Sequence, residues 1–129
     1  MVNVGLKDHW GRPRPTEVSA FGGPHPFQSA GTVSPYCDRN CSFVSGHAAT
    51  GFTLMAVGLL GTPATRRRWW RIGVVAGLLV GAGRVLQGGH FLSDIVLAGL
   101  VMHGVCLLIR AGWLRWRLRQ RLVHARDRG

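Results

Sequence analysis

His90 and Asp94 stand four residues apart, a spacing that puts two side chains on one face of a helix. A carboxylate placed there can accept the Nδ1–H of the imidazole and leave Nε2 free and more basic, which is how a catalytic histidine is oriented. The pair equally suits a structural contact, so its chemistry depends on its company. Ser45-Gly46-His47 opens an apolar segment. Ser45 can cap a helix, and a helix start offers free N–H groups and a positive dipole end to a phosphate. Lys7, the only lysine, joins Arg14 and Arg84 as a source of positive charge. Three cations, two imidazoles and a helix N-terminus make a site for a phosphoryl group.

The elements that must hold these residues are apolar. The 129 residues are enough for one domain, with 47% hydrophobic and only 16% charged. Sixteen Lys and Arg stand against five Asp and Glu, a net charge of +11. So apolar a chain is not intrinsically disordered. A basic, apolar chain is a nucleic-acid binder or a membrane protein, and the placement of charge decides for the membrane. No ionisable residue occurs from Ala48 to Gly61 or from Ile72 to Gly83, and Phe91–Ile109 holds one acid, Asp94, and one histidine, His103. A transmembrane helix needs about 20 mostly apolar residues. Three stretches approach that length, about 45–62, 69–88 and 91–109, and soluble helices of this size would carry a charged face. The expected fold is all-α, an integral membrane bundle of three transmembrane helices behind a loop-rich N-terminal segment.

The arginines set the topology. Arg66-Arg67-Arg68 with Arg71 lie between the first and second stretches, and a second block runs from Arg110 to Arg128. Both fall on one side of a three-helix arrangement, which the positive-inside rule makes the cytoplasm. Trp69, Trp70, Trp113 and Trp116 flank the blocks, where interfacial aromatics belong. Residues 1–44, the start of the first helix and the Gly88-Gly89-His90 turn then share the opposite face. Residues 110–129 read as a basic amphipathic tail able to lie on anionic lipid; no nucleic-acid partner is expected. Residues 1–44, with five prolines and Gly22-Gly23, read as loop. Nothing there would carry such a loop across a membrane, which implies that helices preceding residue 1, or helices supplied by a partner or another copy, complete the bundle.

Taken in order, the polar residues form a pattern: Lys7, six residues, Arg14-Pro15; then Ser45-Gly46-His47; then Arg84, five residues, His90, three residues, Asp94. This resembles the three-part signature of the type-2 phosphatidic acid phosphatase superfamily, whose members commonly have six membrane helices. The resemblance covers about residues 5–109, like the C-terminal half of such a protein. Asn40-Cys41-Ser42-Phe43-Val44 before Ser45 resembles the branch that includes bacterial lipid A phosphatases. Val44 stands where the family usually has Pro, and Gly83 where it usually has Ser.

The resemblance implies that His90 is the nucleophile that forms a phosphohistidine, that Asp94 orients it, and that His47 protonates the leaving oxygen. It implies that Lys7, Arg14, Arg84, Ser45 and the Gly46 N–H hold the phosphate oxygens. It implies a lipid phosphate monoester or diphosphate as substrate, no cofactor or metal, and a bacterial inner membrane with the site facing the periplasm or cell exterior. A lipid phosphotransferase of the same family and a non-catalytic membrane fragment are the alternatives. Arg12 duplicates the Arg-Pro dipeptide, but only Arg14 has the spacing from Lys7, so Arg14 is preferred. Cys37 and Cys41 can bridge or stay reduced; a zinc ion shared with His47 would consume the general acid and lacks an evident fourth ligand. Gly73, Gly77 and Gly81 read as a close-packing face, and His103 and Cys106 as structural.

Overall fold

The structure, a computed structural model, describes residues 10–37 and 41–126. Among them every regular element is helical: α1 (Gly46–Phe52), α2 (Pro63–Leu86), α3 (Leu92–Arg126), and short 3₁₀ turns at Pro15–Glu17, Ser19–Phe21 and Thr53–Ala56. Each start has a sequence cause. The Ser45 hydroxyl accepts the Ala48 N–H at 3.4 Å, and the Thr62 hydroxyl accepts the Thr65 N–H at 3.2 Å with Pro63 in the first turn, both standard helix entries. Helix α3 begins when the Asp94 carboxylate turns back to accept the Phe91 N–H at 3.0 Å, half of a capping box.

Two helices, not three, are long and apolar enough to cross a membrane: α2, with mean hydropathy 1.3, and α3, with mean hydropathy 2.1. The stretch expected to span over 45–62 instead forms the seven residues of α1 and the four of the following 3₁₀ turn, roughly 17 Å of helix against a hydrocarbon core of about 30 Å. The cause is local. Thr50 and Thr53 bend their hydroxyls back to the carbonyls of Gly46 (3.0 Å) and Thr50 (2.5 Å), a bonding that competes with the helix. Gly58 and Gly61 then close a turn, with the Gly61 N–H on the Gly58 carbonyl at 3.1 Å. The second stretch starts earlier than expected, at Pro63. The third does not end near residue 109, for the basic tail continues α3 without a break to Arg126.

The two long helices pack as a hairpin through their smallest residues. The only buried residues of α2 are Gly73, Gly77 and Gly81, while Val75, Leu79 and Leu86 are exposed, Leu79 to 69%. Helix α3 likewise exposes Leu100 and Leu108. Small residues inward and large aliphatic ones outward invert the pattern of a water-soluble helix and match helix contact in lipid. The glycines are required by contact. A Cβ on Gly77 would lie 2.3 Å from the Phe52 ring, one on Gly81 2.3 Å from Ile95 Cγ2, and one on Gly73 2.6 Å from Met55 Cγ. The expected close-packing face therefore receives α1, its 3₁₀ extension and α3. Phe43, Val44, Ala48, Ala49, Phe52, Met55, Ile95, Ala98 and Cys106 form the core.

The N-terminal segment is irregular, as expected, yet tied down. The Trp10 indole N–H donates to the Ala30 carbonyl at 2.8 Å, and its ring stacks on Phe43 at 4.7 Å. Gly11 adopts φ +61°, and a Cβ there would collide with the Ser34 carbonyl oxygen at 1.6 Å, so only glycine lets the chain pass. Cys37 and Cys41 are joined by a disulfide.

Candidate active site

The site lies where the segment before α1 meets the start of α3. His90 and Asp94 are 1% and 0% exposed. His90 Nδ1 lies 2.8 Å from the backbone carbonyl of Ser42. A carbonyl only accepts, so Nδ1 carries a proton, and in the neutral ring the Nε2 lone pair is then the free one. This changes one expectation: the acceptor of that proton is a backbone oxygen, while Asp94 Oδ2 stands 3.8 Å from Nδ1. The physical reason is that both carboxylate oxygens are taken. Oδ1 is ion-paired with Arg12, and Oδ2 accepts the Ser42 hydroxyl at 2.5 Å and the Phe91 N–H at 3.0 Å.

Asp94 thus acts on His90 through Ser42, whose hydroxyl it grips and whose carbonyl holds the ring. The Asp94 backbone carbonyl also faces the Ser45 N–H at 3.4 Å, which ties the N-terminus of α1, and with it Gly46 and His47, to the start of α3. Ser45 is fully buried, and His47 projects from the first turn of α1 with its side chain exposed.

Arg12 is the residue the sequence reasoning passed over. It is 2% exposed, the largest of the fully buried side chains. Its Nε donates to the Gln28 carbonyl at 2.9 Å and its Nη1 to the Ser93 hydroxyl at 3.0 Å, besides the ion pair with Asp94. The guanidinium lies 4.2 Å from the Phe91 ring centroid, and Phe27 packs edge-on against Phe91 at 5.6 Å. A buried charge is retained only when paired and hydrogen-bonded, and both conditions are met. The available sequence signal was the duplicated Arg-Pro dipeptide. Ser42 gave even less, because its carbonyl carries no residue-specific mark.

The residues expected to hold phosphate are distributed as follows. Arg14, half-buried, heads the Pro15–Glu17 turn, and its backbone N–H donates to Glu17 Oε2 at 2.9 Å. Pro15 and Thr16 line the same cavity, of about 490 Å³, as His90 and Phe91, so the first part of the signature meets the third there. Arg84 sits in the last turn of α2, packed over the turn that carries His90: the Gly89 N–H donates to the Arg84 carbonyl at 3.0 Å, and a Cβ on Gly89 would lie 3.1 Å from Arg84 Nη2. Arg84 Nη1 donates to Gln87 Oε1 at 2.7 Å, and its buried Nε has no hydrogen-bond partner among the described residues. Lys7 lies outside the described residues.

This arrangement can present one imidazole nitrogen to an electrophile, with the Arg84 guanidinium against the turn that carries it to help neutralise an anion. Comparison with known proteins supplies the lineage: residues 1–120 match the PAP2 superfamily. The chain belongs to the PAP2 superfamily. It is 46% identical over 104 residues to a lipid A 4'-phosphatase of Francisella tularensis subsp. novicida (strain U112), covering 80% of this chain and 47% of that protein. It is 45% identical over 101 residues to proteins of the same name from Rhizobium leguminosarum and Rhizobium etli, covering 78% of this chain and 43% and 39% of theirs. The chain therefore spans less than half the length of these curated relatives. No solved structure matches it.

Proposed function

We propose that this PAP2 chain carries the catalytic site of a membrane lipid phosphatase acting on a phosphate monoester of the lipid A type, through a phosphohistidine on His90. The observation that carries the reading is the Nδ1 contact to the Ser42 carbonyl. It supports the tautomer that leaves Nε2 as the nucleophile, within a frame held by Asp94 and Arg12. The names of the three relatives support lipid A and its 4'-phosphate as the substrate.

In the first step His90 Nε2 attacks phosphorus and a P–N bond forms as the P–O bond to the sugar breaks. His47 delivers a proton to the departing oxygen. In the second step water attacks phosphorus and gives its proton to His47, the P–N bond breaks, and phosphate leaves. The covalent route divides one hard displacement into two easier ones. Arg14, Arg84 and Lys7, with the Ser45 side chain and the Gly46 N–H, hold the three phosphate oxygens and offset their charge, which is most of what catalysis of phosphoryl transfer requires. The positive charge that develops on the His90 ring falls 3.8 Å from the Asp94 carboxylate.

The lipid is presented at the membrane surface, with the bundle set in the bacterial inner membrane, the arginine blocks in the cytoplasm and the site on the periplasmic side. In this placement α2 and α3 cross the membrane, and the stretch 45–62 passes between the same two levels packed along α2, with Phe52 against Gly77, Met55 against Gly73 and Gly58 against Trp69. The test is phosphate release from purified lipid A by the full chain in detergent. The reading expects release by the wild type and a loss of at least 1,000-fold in His90→Ala, with phosphatidic acid a poorer substrate. Equal release by His90→Ala would overturn it. Transfer of the phosphoryl group to an added lipid alcohol, in place of release, would favour the phosphotransferase alternative.

A further inference from the structure

At the far end of the helical hairpin from His90, a second cavity of about 330 Å³ opens between α2, α3 and the 3₁₀ turn after α1. Its rim is cationic: Arg66, Arg67 and Arg71 from α2 and Arg110 from α3. Its walls are apolar, formed by Met55, Leu59, Cys106 and Leu107, and it is closed on one side by Trp70, whose indole N–H donates to His103 Nδ1 at 3.2 Å. Among the described residues no carboxylate pairs with any of the four arginines. The two acids described, Glu17 and Asp94, belong to the other end, and Asp94 is sixteen residues, about 24 Å, back along α3 from Arg110.

Four guanidinium groups around an apolar hollow, with no carboxylate partner among the described residues, repel one another and leave their hydrogen-bond donors to solvent. An anion with a hydrocarbon body satisfies both halves at once. The guanidiniums match a phosphate geometrically, two donors to two oxygens, and the hollow has the size of small-molecule sites. It lies where both membrane-length helices change from apolar to arginine-rich, the level of lipid headgroups, and basic pockets between helices at that level suit anionic lipids. We propose that this cavity is a binding site for one anionic phospholipid of the leaflet opposite the catalytic site, its phosphate held by Arg66, Arg67, Arg71 and Arg110 and its acyl chains on Leu59 and Leu107. The inference rests on the membrane placement above and not on the phosphatase reaction, and its test does not read activity.

The test is native mass spectrometry of the full chain released from nanodiscs of phosphatidylglycerol and phosphatidylcholine in equal parts. The wild type retains one phosphatidylglycerol in preference to phosphatidylcholine. Replacing the four rim arginines with Gln lowers that retained lipid at least fivefold, and Leu107→Trp, which fills the hollow without changing charge, lowers it as much. Arg115→Gln/Arg117→Gln/Arg119→Gln, which removes three charges outside the cavity, leaves it unchanged. Inorganic phosphate at millimolar concentration competes weakly, distinguishing a lipid from a free-phosphate site. Equal loss from the tail variant, or undiminished lipid in Leu107→Trp, would mean diffuse attraction to the surface and overturn the proposal, as would full displacement by inorganic phosphate.

Discussion

Asp94 is the residue on which the site turns, and the structure gives it four partners where the sequence offered one. The His90–Asp94 spacing correctly announced proximity on a helical face. It could not announce that the carboxylate would be saturated by Arg12, Ser42 and the Phe91 N–H, because those contacts join residues up to 82 positions apart. Spacing selects local pairs, whereas burial of a charge is decided by tertiary structure. Two predictions follow at this scale. Arg12→Gln leaves a buried carboxylate without its counter-ion, and breaking a buried pair from one side costs about 3–5 kcal/mol. A drop of more than 10 °C in Tm of the full chain is therefore expected, with Arg12→Lys recovering part of it. Gly83→Ser installs the hydroxyl usual in the family at a position where a Cβ meets nothing within 4 Å. One added hydrogen bond to phosphate, about 1 kcal/mol, predicts a roughly fivefold gain in kcat/KM with no loss of stability.

At the scale of elements, all three helical stretches were legible, and the length of the first was not. Runs without charge placed the end of α2 and the start of α3 to within two residues, while α2 starts six residues early, at Pro63, and the tail continues α3. Apolar composition alone cannot tell a spanning helix from a short one ended by its own threonines and glycines, as 45–62 is. The glycine ladder was legible as a packing face because its period of four matches a helix, though its partners were not. Gly77→Ala drives a methyl group into the Phe52 ring and, as overpacking, should destabilise by about 1–3 kcal/mol. Gly83→Ala, on the same helix but facing open space, should be neutral or stabilising by about 0.5–1 kcal/mol. Thermal unfolding of the pair in one detergent checks both. The disulfide closes the loop immediately before Ser42. Its removal in Cys37→Ser/Cys41→Ser should cost about 2 kcal/mol by loop entropy and lower activity, because the segment that orients His90 is released.

For the whole molecule, charge segregation makes the two ends of one hairpin chemically different. The end with His90 holds both described acids and the buried Arg12–Asp94 pair, while the other holds the arginine-rimmed cavity. The composition made that polarity plain, because charges are expensive in lipid and collect where water is. Depth was not: nothing in a one-dimensional pattern shows which elements the glycine face would meet or which leucines would be left exposed. Cysteines introduced at Gly88 and at Thr62 in a cysteine-free background should react with a membrane-impermeant maleimide in intact spheroplasts at position 88 only. Labelling confined to position 62 would invert the proposed topology, and with it the side proposed for the site.

The central claim is that His90 Nε2 takes up the phosphoryl group. Rapid quenching of the full chain with lipid A radiolabelled at phosphate, followed by peptide mapping under alkaline conditions, tests it directly. The account predicts an acid-labile, alkali-stable phosphate on the peptide containing His90, formed at the rate of turnover and missing from His90→Asn. A phosphate on any other residue, or turnover with no phosphoenzyme at any time, would contradict it.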